Sequence, residues 1–319
     1  MRNLLAIVSG EPNSINSEII AKAWKKVKNK KNLFIIGNYF LLKKQIAKIN
    51  IKIPMYKIGS IHDIDKKKRL CILDVPLKFN SIFKFRNTDV KNYIFKSLDI
   101  AHNLAINKKI KGFINTSIDK KIFENKYLGV TEYLSSKNKI KNKEVMIIYN
   151  KKLSVVPLTT HLEIKNVTSK IKFDLIKKKI ISLNSSYFEL FKKKPKIALL
   201  GLNPHNTENR QNSIENKIIK PSVKKLKQLG VNIAGPFPAD TAFSGRKKYK
   251  FDVIVGMYHD QVLGPFKALF EYDAINITLG LKYIRISPDH GTAQDIVYLN
   301  KANPQSLISA INFFNKIND

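Results

Sequence analysis

Short apolar runs alternate with longer stretches of helical periodicity along nearly the whole chain. Nothing else in the sequence constrains the fold so strongly. Strands that alternate with helices pack as an α/β sheet with helices on its faces. Strands are predicted at Leu4–Val8, Asn32–Ile36, Leu70–Val75, Gly112–Thr116, Ile197–Gly201, Val253–Val255, Ala274–Ile277 and Ile284–Ile286. Val145–Tyr149 and Leu153–Pro157 flank Asn150-Lys151-Lys152 and predict a hairpin. Helices are expected over Ser17–Lys28, with Ser17 as the N-cap, and over Val90–Lys109, where Ile94, Leu98, Ala101 and Leu104 recur every three or four residues. Three more are expected: Val167–Lys194 with a very basic exposed face, Lys217–Leu229, which Pro221 should break or kink early, and Pro304–Lys316.

The 319 residues suit one large α/β domain or two intimate ones, and the 44% hydrophobic content suffices for an ordinary core. The single cysteine, Cys71, excludes an intrachain disulfide framework or a Cys-rich zinc module. It lies in the run Leu70-Cys71-Ile72-Leu73 and reads as a core thiol. Leu4–Val8 is too short for a signal-peptide core, and no stretch approaches the roughly 18 apolar residues of a membrane span. A cytoplasmic protein without membrane contact is expected.

The formal charge of +34 raises the possibility of a nucleic-acid binder. The excess is mostly lysine, spread evenly and accompanied by abundant Asn and Ile, with no aromatic-interleaved module. Binders usually concentrate charge on one face or arm. Compositional drift on tolerant surface positions is the better reading, and a nucleic-acid partner is disfavoured.

Chemistry concentrates in loops. Four of the six histidines lie beside strand-like runs: Thr159-Thr160-His161, Asn203-Pro204-His205, Tyr258-His259-Asp260-Gln261 and Asp289-His290-Gly291-Thr292-Ala293. Loops at strand ends are where open α/β sheets hold ligands. Imidazole suits zinc and other transition metals, and three protein ligands leave a position open for substrate. The histidines are tens of residues apart, so only a fold could unite them. There is no G-x-S-x-G elbow, no P-loop, and no G-x-G-x-x-G after the first strand. Lys267 and Arg285 lie near these motifs and suit a phosphate or carboxylate. Arg285 is the more informative, since arginine is scarce here and this one sits in an apolar run.

These segments, together with Ser9-Gly10-Glu11-Pro12, Thr131-Glu132-Tyr133, Gly201-Leu202-Asn203-Pro204-His205, Gly235-Pro236-Phe237-Pro238-Ala239-Asp240-Thr241 and Asn276-Ile277-Thr278-Leu279-Gly280-Leu281, resemble the 4-hydroxythreonine-4-phosphate dehydrogenase (PdxA) family of pyridoxine biosynthesis. Each motif is weak alone; their order across residues 9–293 makes the resemblance specific. It implies an isocitrate/isopropylmalate dehydrogenase-like fold: two intimately joined α/β domains with the active site in the cleft. Approximate domains are 1–125 plus 286–319, and 126–285. The resemblance also implies a homodimer with a shared active site and one divalent metal (Zn, Mg or Co) on His161, His205 and His259. Substrate contacts fall on Thr131, Lys267, Asn276 and Arg285. NAD or NADP would be held in part by the loop Gly291-Thr292-Ala293. Asp240 and Asp260 are candidates for proton transfer or for orienting the metal ligands.

The implied reaction oxidises 4-phosphooxy-L-threonine to 2-amino-3-oxo-4-phosphooxybutanoate, which decarboxylates to 3-amino-2-oxopropyl phosphate. The rivals are a same-fold dehydrogenase of another four-carbon phosphorylated acid, and a nucleic-acid-binding protein on a retained enzyme fold. Val130 stands where the family usually has a substrate-contacting histidine. Several family glycines are also replaced, among them those in the stretch Asn206-Thr207-Glu208-Asn209-Arg210. If positive φ is needed there, Asn is the least costly replacement and Arg210 is hard to accommodate.

Overall fold

The computed structural model describes residues 4–28, 30, 32–64, 69–124, 126–140, 144–160, 162–244, 250–271 and 273–317. In chain order the elements begin with β1 (Leu5–Val8), α1 (Asn16–Lys26), β2 (Leu33–Gly37), α2 (Tyr39–Lys48), β3 (Met55–Ile58), β4 (Leu70–Asp74), α3 (Asn87–Ile106), β5 (Gly112–Asn115) and α4 (Val130–Lys137). There follow β6 (Val145–Asn150), β7 (Leu153–Pro157), α5 (Ile164–Lys170), α6 (Phe173–Phe191), β8 (Ile197–Leu200), α7 (Lys220–Gln228), β9 (Ile233–Phe237), α8 (Ala239–Ser244), β10 (Val253–Gly256), α9 (His259–Phe270) and β11 (Ile275–Leu279). The chain closes with β12 (Ile284–Pro288) and α10 (Gln305–Lys316). The α/β class expected from the alternation is the class that forms.

The chain divides into two compact units. The first runs to Leu134 and resumes at Lys282. Its strands pair in the order β3-β4-β2-β1-β5-β12, every pair parallel. Parallel strands are covered on both faces, so their residues are apolar throughout rather than alternating. β1, β2 and β5 accordingly bury every residue. Gly112 is required where β5 and β12 approach, since a Cβ there would lie 1.9 Å from the carbonyl oxygen of Ile284. Cys71 is a buried thiol outside any disulfide, as its apolar run suggests.

The second unit spans Ser135–Leu281. Its order is β11-β6-β7-β10-β8-β9, with β11-β6-β7 antiparallel and β7-β10-β8-β9 parallel. The expected hairpin forms, with Asn150 opposite Leu153. Its core joins Val155, Leu200 and Ile254 of the sheet to Val262 and Phe266 of α9. β7, β10 and β8 are therefore adjacent and run the same way, so their carboxyl ends, and the loops that follow, emerge on one edge.

Several helix expectations need correction. Ser17 is not the N-cap: α1 begins one residue earlier, Ile15 holds the cap position, and no side chain caps it. Ser17 lies buried inside the helix. The long helix over Val167–Lys194 is two, α5 and α6, because Ile171 and Lys172 are extended. Pro221 does not break its helix. It sits in the first turn of α7, directly after a wide π-turn at Glu215–Ile219. A proline in the first turn lacks only an N–H that would have no partner there anyway. No described helix is long and apolar enough to cross a membrane.

Candidate functional site

In the second unit, two of the motif histidines leave neighbouring parallel strands. β8 ends at Leu200, and His205 follows in the turn Pro204–Asn209; β10 ends at Gly256, and His259 opens α9. β7, on the other side of β10, leads to His161, which lies outside the described residues.

The His205 turn has unusual backbone geometry. His205, Asn206, Thr207 and Glu208 all have φ between 49° and 54°. L-residues rarely string together in this region, because Cβ crowds the carbonyl at about 1–2 kcal/mol per residue. Arg210 is not one of them: its φ is −54°, so the expected difficulty there does not arise. The harder case is Thr207, a β-branched residue at φ 54°.

What offsets this strain is Glu215, whose side chain is fully buried. One carboxylate oxygen accepts from the backbone N–H of Leu202 (3.0 Å) and of Asn203 (2.9 Å). The other accepts from Thr207 Oγ1 at 2.9 Å, and Asn203 Nδ2 reaches both at 3.2 and 3.3 Å. Burial pushes this carboxyl up, but the hydrogen bonds outweigh it and leave the group below its ordinary range. Asn206 folds back to donate to the carbonyl of Pro236. This needs a bare Cα at Gly201, where a Cβ would come within 2.0 Å of Asn206 Oδ1.

The His259 side is held differently. Gln261 Oε1 accepts from Met257 N–H at 2.7 Å, and its Nε2 donates to the carbonyl of Gly201 at 2.7 Å. One side chain thus ties the His259 loop to the His205 loop. Thr159 Oγ1 donates to the carbonyl of Met257, which fastens the segment before His161 to the same loop. His259 Nδ1 meets Asp260 Oδ1 at 2.6 Å, and both side chains reach solvent.

Other expected residues distribute as follows. In the second unit, Lys267 is exposed on α9, Asp240 is exposed in the first turn of α8, and Asn276 lies on β11 with a buried, unpartnered Oδ1. In the first unit, Arg285 on β12 is buried, donating through Nε to Asn115 Oδ1 (2.6 Å) and through Nη1 to Thr131 Oγ1 (3.2 Å). Burial lowers its pKa to about 10, opposed by the nearby charge of Glu132. Thr131 and Arg285, distant in sequence, are therefore direct neighbours. Val130 is the first residue of α4, not part of a loop.

The Gly291–Ala293 loop lies beside the loop after β1, with Ile15 N–H bonded to the carbonyl of Thr292. Close by, Glu11 and Gln294 line a cavity of about 300 Å³ with Asn13, Asn87, Lys91 and Asp119. Glu11 is buried with one carboxylate oxygen unpartnered. Burial raises its pKa to about 7 despite hydrogen bonds from the backbone of Asp119 and Asn13.

No local motif assigns these roles to Glu11, Glu215 or Gln261. The usable signal for Glu215 was an acidic residue ten positions after His205 in a chain with 58 basic and only 24 acidic side chains.

Imidazole and carboxylate are donor types that a divalent cation accepts. Among the described residues no three His, Cys, Asp or Glu side chains form a metal-holding group, so a site here depends on His161. His205 and His259 follow adjacent strands, and a ring fixed through Nδ1 by a carboxylate is the usual state of a metal-bound histidine. In the first unit, His290 Nε2 is buried without a partner.

A largely parallel α/β scaffold with histidines, carboxylates and amides in the loops after its strands belongs to the α/β class that holds ligands at its strand ends. Within that class, the chain belongs to the PdxA family: the model of the pyridoxal phosphate biosynthetic protein PdxA matches residues 29–314. A 4-hydroxythreonine-4-phosphate dehydrogenase of Sulfurihydrogenibium sp. is 39% identical over 316 residues, 96% of this chain and 96% of that protein. The Aquifex aeolicus protein of the same name is 34% identical over 324 residues, 100% of this chain and 99% of its own. The crystal structure of the Klebsiella pneumoniae 4-hydroxythreonine-4-phosphate dehydrogenase superposes with a TM-score of 0.88 at 27% identity, covering 99% of this chain and 100% of that one.

Proposed function

We propose that this chain oxidises 4-phosphooxy-L-threonine at C3 with NAD or NADP, giving a β-keto acid that loses CO2 to form 3-amino-2-oxopropyl phosphate. The observation that carries this reading is the release of His205 and His259 from adjacent parallel strands, in a chain matched to the PdxA family over residues 29–314. His161, His205 and His259 would hold a divalent cation (Zn, Mg or Co). When bound, that cation would supply Lewis acidity toward the C3 hydroxyl, and the nicotinamide would accept the hydride.

The chain's own groups bind and orient. Arg285, already fixed by Asn115 and Thr131, presents a preset guanidinium to an anionic substrate group. Lys267, exposed on α9, would add a second cation. The unpartnered Oδ1 of Asn276 is an acceptor awaiting a donor, which a substrate hydroxyl or ammonium would provide. Asp260 orients the His259 ring through Nδ1, and Asp240 is a candidate for proton transfer. Gly291, Thr292 and Ala293 would line the cofactor, and a homodimer is the working state the family resemblance implies.

The test is nicotinamide reduction with 4-phosphooxy-L-threonine beside unphosphorylated 4-hydroxythreonine, each with NAD and with NADP. Turnover confined to the phosphorylated substrate is expected. Equal rates on both, or turnover only on another four-carbon phosphorylated acid, would replace this assignment.

A further inference from the structure

We infer that Glu215 is a positioning residue for His205, acting through the left-handed turn that carries it. This rests on the reading of His205 as a metal ligand. Apart from its own backbone N–H, the donors to Glu215 among the described residues lie on the strand-to-turn segment 202–207: the backbone N–H groups of Leu202 and Asn203, the Asn203 amide and the Thr207 hydroxyl. All are neutral, so the carboxylate is neither half of an ion pair nor a surface charge. It is an anchor around which the loop is wrapped.

The contacts bracket the histidine. Two residues before it, Asn203 is held by backbone and side chain; two residues after it, Thr207 is held by its hydroxyl. Between them, the chain runs through His205 and Asn206 at φ 49° and 53°. Without the anchor, this stretch would relax toward ordinary negative φ and carry the His205 imidazole with it. Glu215 itself is set by the π-turn Glu215–Ile219 ahead of α7.

The test compares the wild-type chain with E215Q, E215A and T207V. It reads Co2+ affinity by calorimetry, the visible Co2+ absorption, thermal unfolding, and kcat and KM separately. Groups that orient a metal ligand are worth about 10–100-fold in affinity, the loss expected for E215A together with altered Co2+ bands. E215Q keeps an acceptor oxygen for Leu202 and Asn203, and should recover affinity to within about tenfold of wild type. T207V loses one donor and should show a smaller loss, carried by kcat more than by KM.

A folded E215A that binds Co2+ as wild type does, with the same bands, would overturn the inference. If E215A does not fold, unchanged Co2+ affinity and bands in T207V would overturn it. If the wild type itself takes up no divalent cation, the metal reading falls, and this one with it. Uptake by wild type and variants alike removes only the role of Glu215.

Discussion

Glu11, in the loop after β1, and Glu215, at the start of the π-turn before α7, are both buried glutamates, one in each unit, yet their environments drive them in opposite directions. Glu215 has neutral donors on both oxygens and stays below the ordinary carboxyl range. Glu11 keeps one oxygen unpartnered and rises to about 7. Both are buried, but Glu11 is the more strongly desolvated and also feels the like charge of Asp119, whereas Glu215 has the larger set of donors, and these differences together set the opposite signs. The lesson is functional. A carboxylate saturated by its own chain serves structure. One left half-satisfied beside a cavity is ready to meet a ligand or exchange a proton near neutral pH.

Four experiments would break or sharpen this contrast. The largest effect is expected at the histidine that Glu215 supports. His205→Ala should lower turnover by about 100-fold or more, the several kcal/mol that Lewis acidity contributes. A loss of less than about tenfold in steady-state kinetics would remove His205 from the metal site.

Next comes the pH dependence of stability. A carboxyl whose folded pKa lies above its unfolded value binds its proton more tightly when folded. Wild-type stability should therefore fall, relative to Glu11→Gln, as pH rises from about 4.5 to about 7. The full difference is about 3 kcal/mol, read from denaturant midpoints in the apo protein. Glu215 should show the reverse sign: its contribution is present above the unfolded pKa and is lost as pH falls through the folded one. Parallel pH profiles for the Glu11 and Glu215 variants would end the comparison.

Gln261→Leu leaves Met257 N–H and the Gly201 carbonyl without their partner, at about 1–3 kcal/mol in unfolding free energy. A change within experimental error would show that the two loops are not tied through this side chain. The smallest effect is expected for Asp260→Asn. Its carboxylate is 83% exposed, so solvent competes for the His259 contact, and turnover should fall by less than about tenfold. A larger loss would give Asp260 a direct role in proton transfer.

Much of this architecture was legible in the sequence, and the failures have identifiable causes. Fully apolar runs such as Leu5–Val8 and Val253–Gly256 mark buried strands whatever surrounds them. The loop histidines stood out because polar motifs followed those runs directly. β9 was missed because Ile233–Phe237 contains Gly235 and Pro236, a pair that reads as a turn. Ser17 was misplaced because a good capping side chain does not oblige the backbone to start there. The turn at His205 could not be read locally. Its conformation is imposed by Glu215, a contact that exists only once the π-turn brings the carboxylate back beneath the loop. The pairing of Thr131 with Arg285 is likewise a product of the fold.

The most direct test of the central claim is nicotinamide reduction by the purified chain with 4-phosphooxy-L-threonine, measured as isolated, after chelation, and after adding back Zn2+, Mg2+ or Co2+ in turn. The account predicts turnover that chelation abolishes and at least one of these cations restores. Turnover that survives complete removal of divalent metal from a folded protein would contradict it.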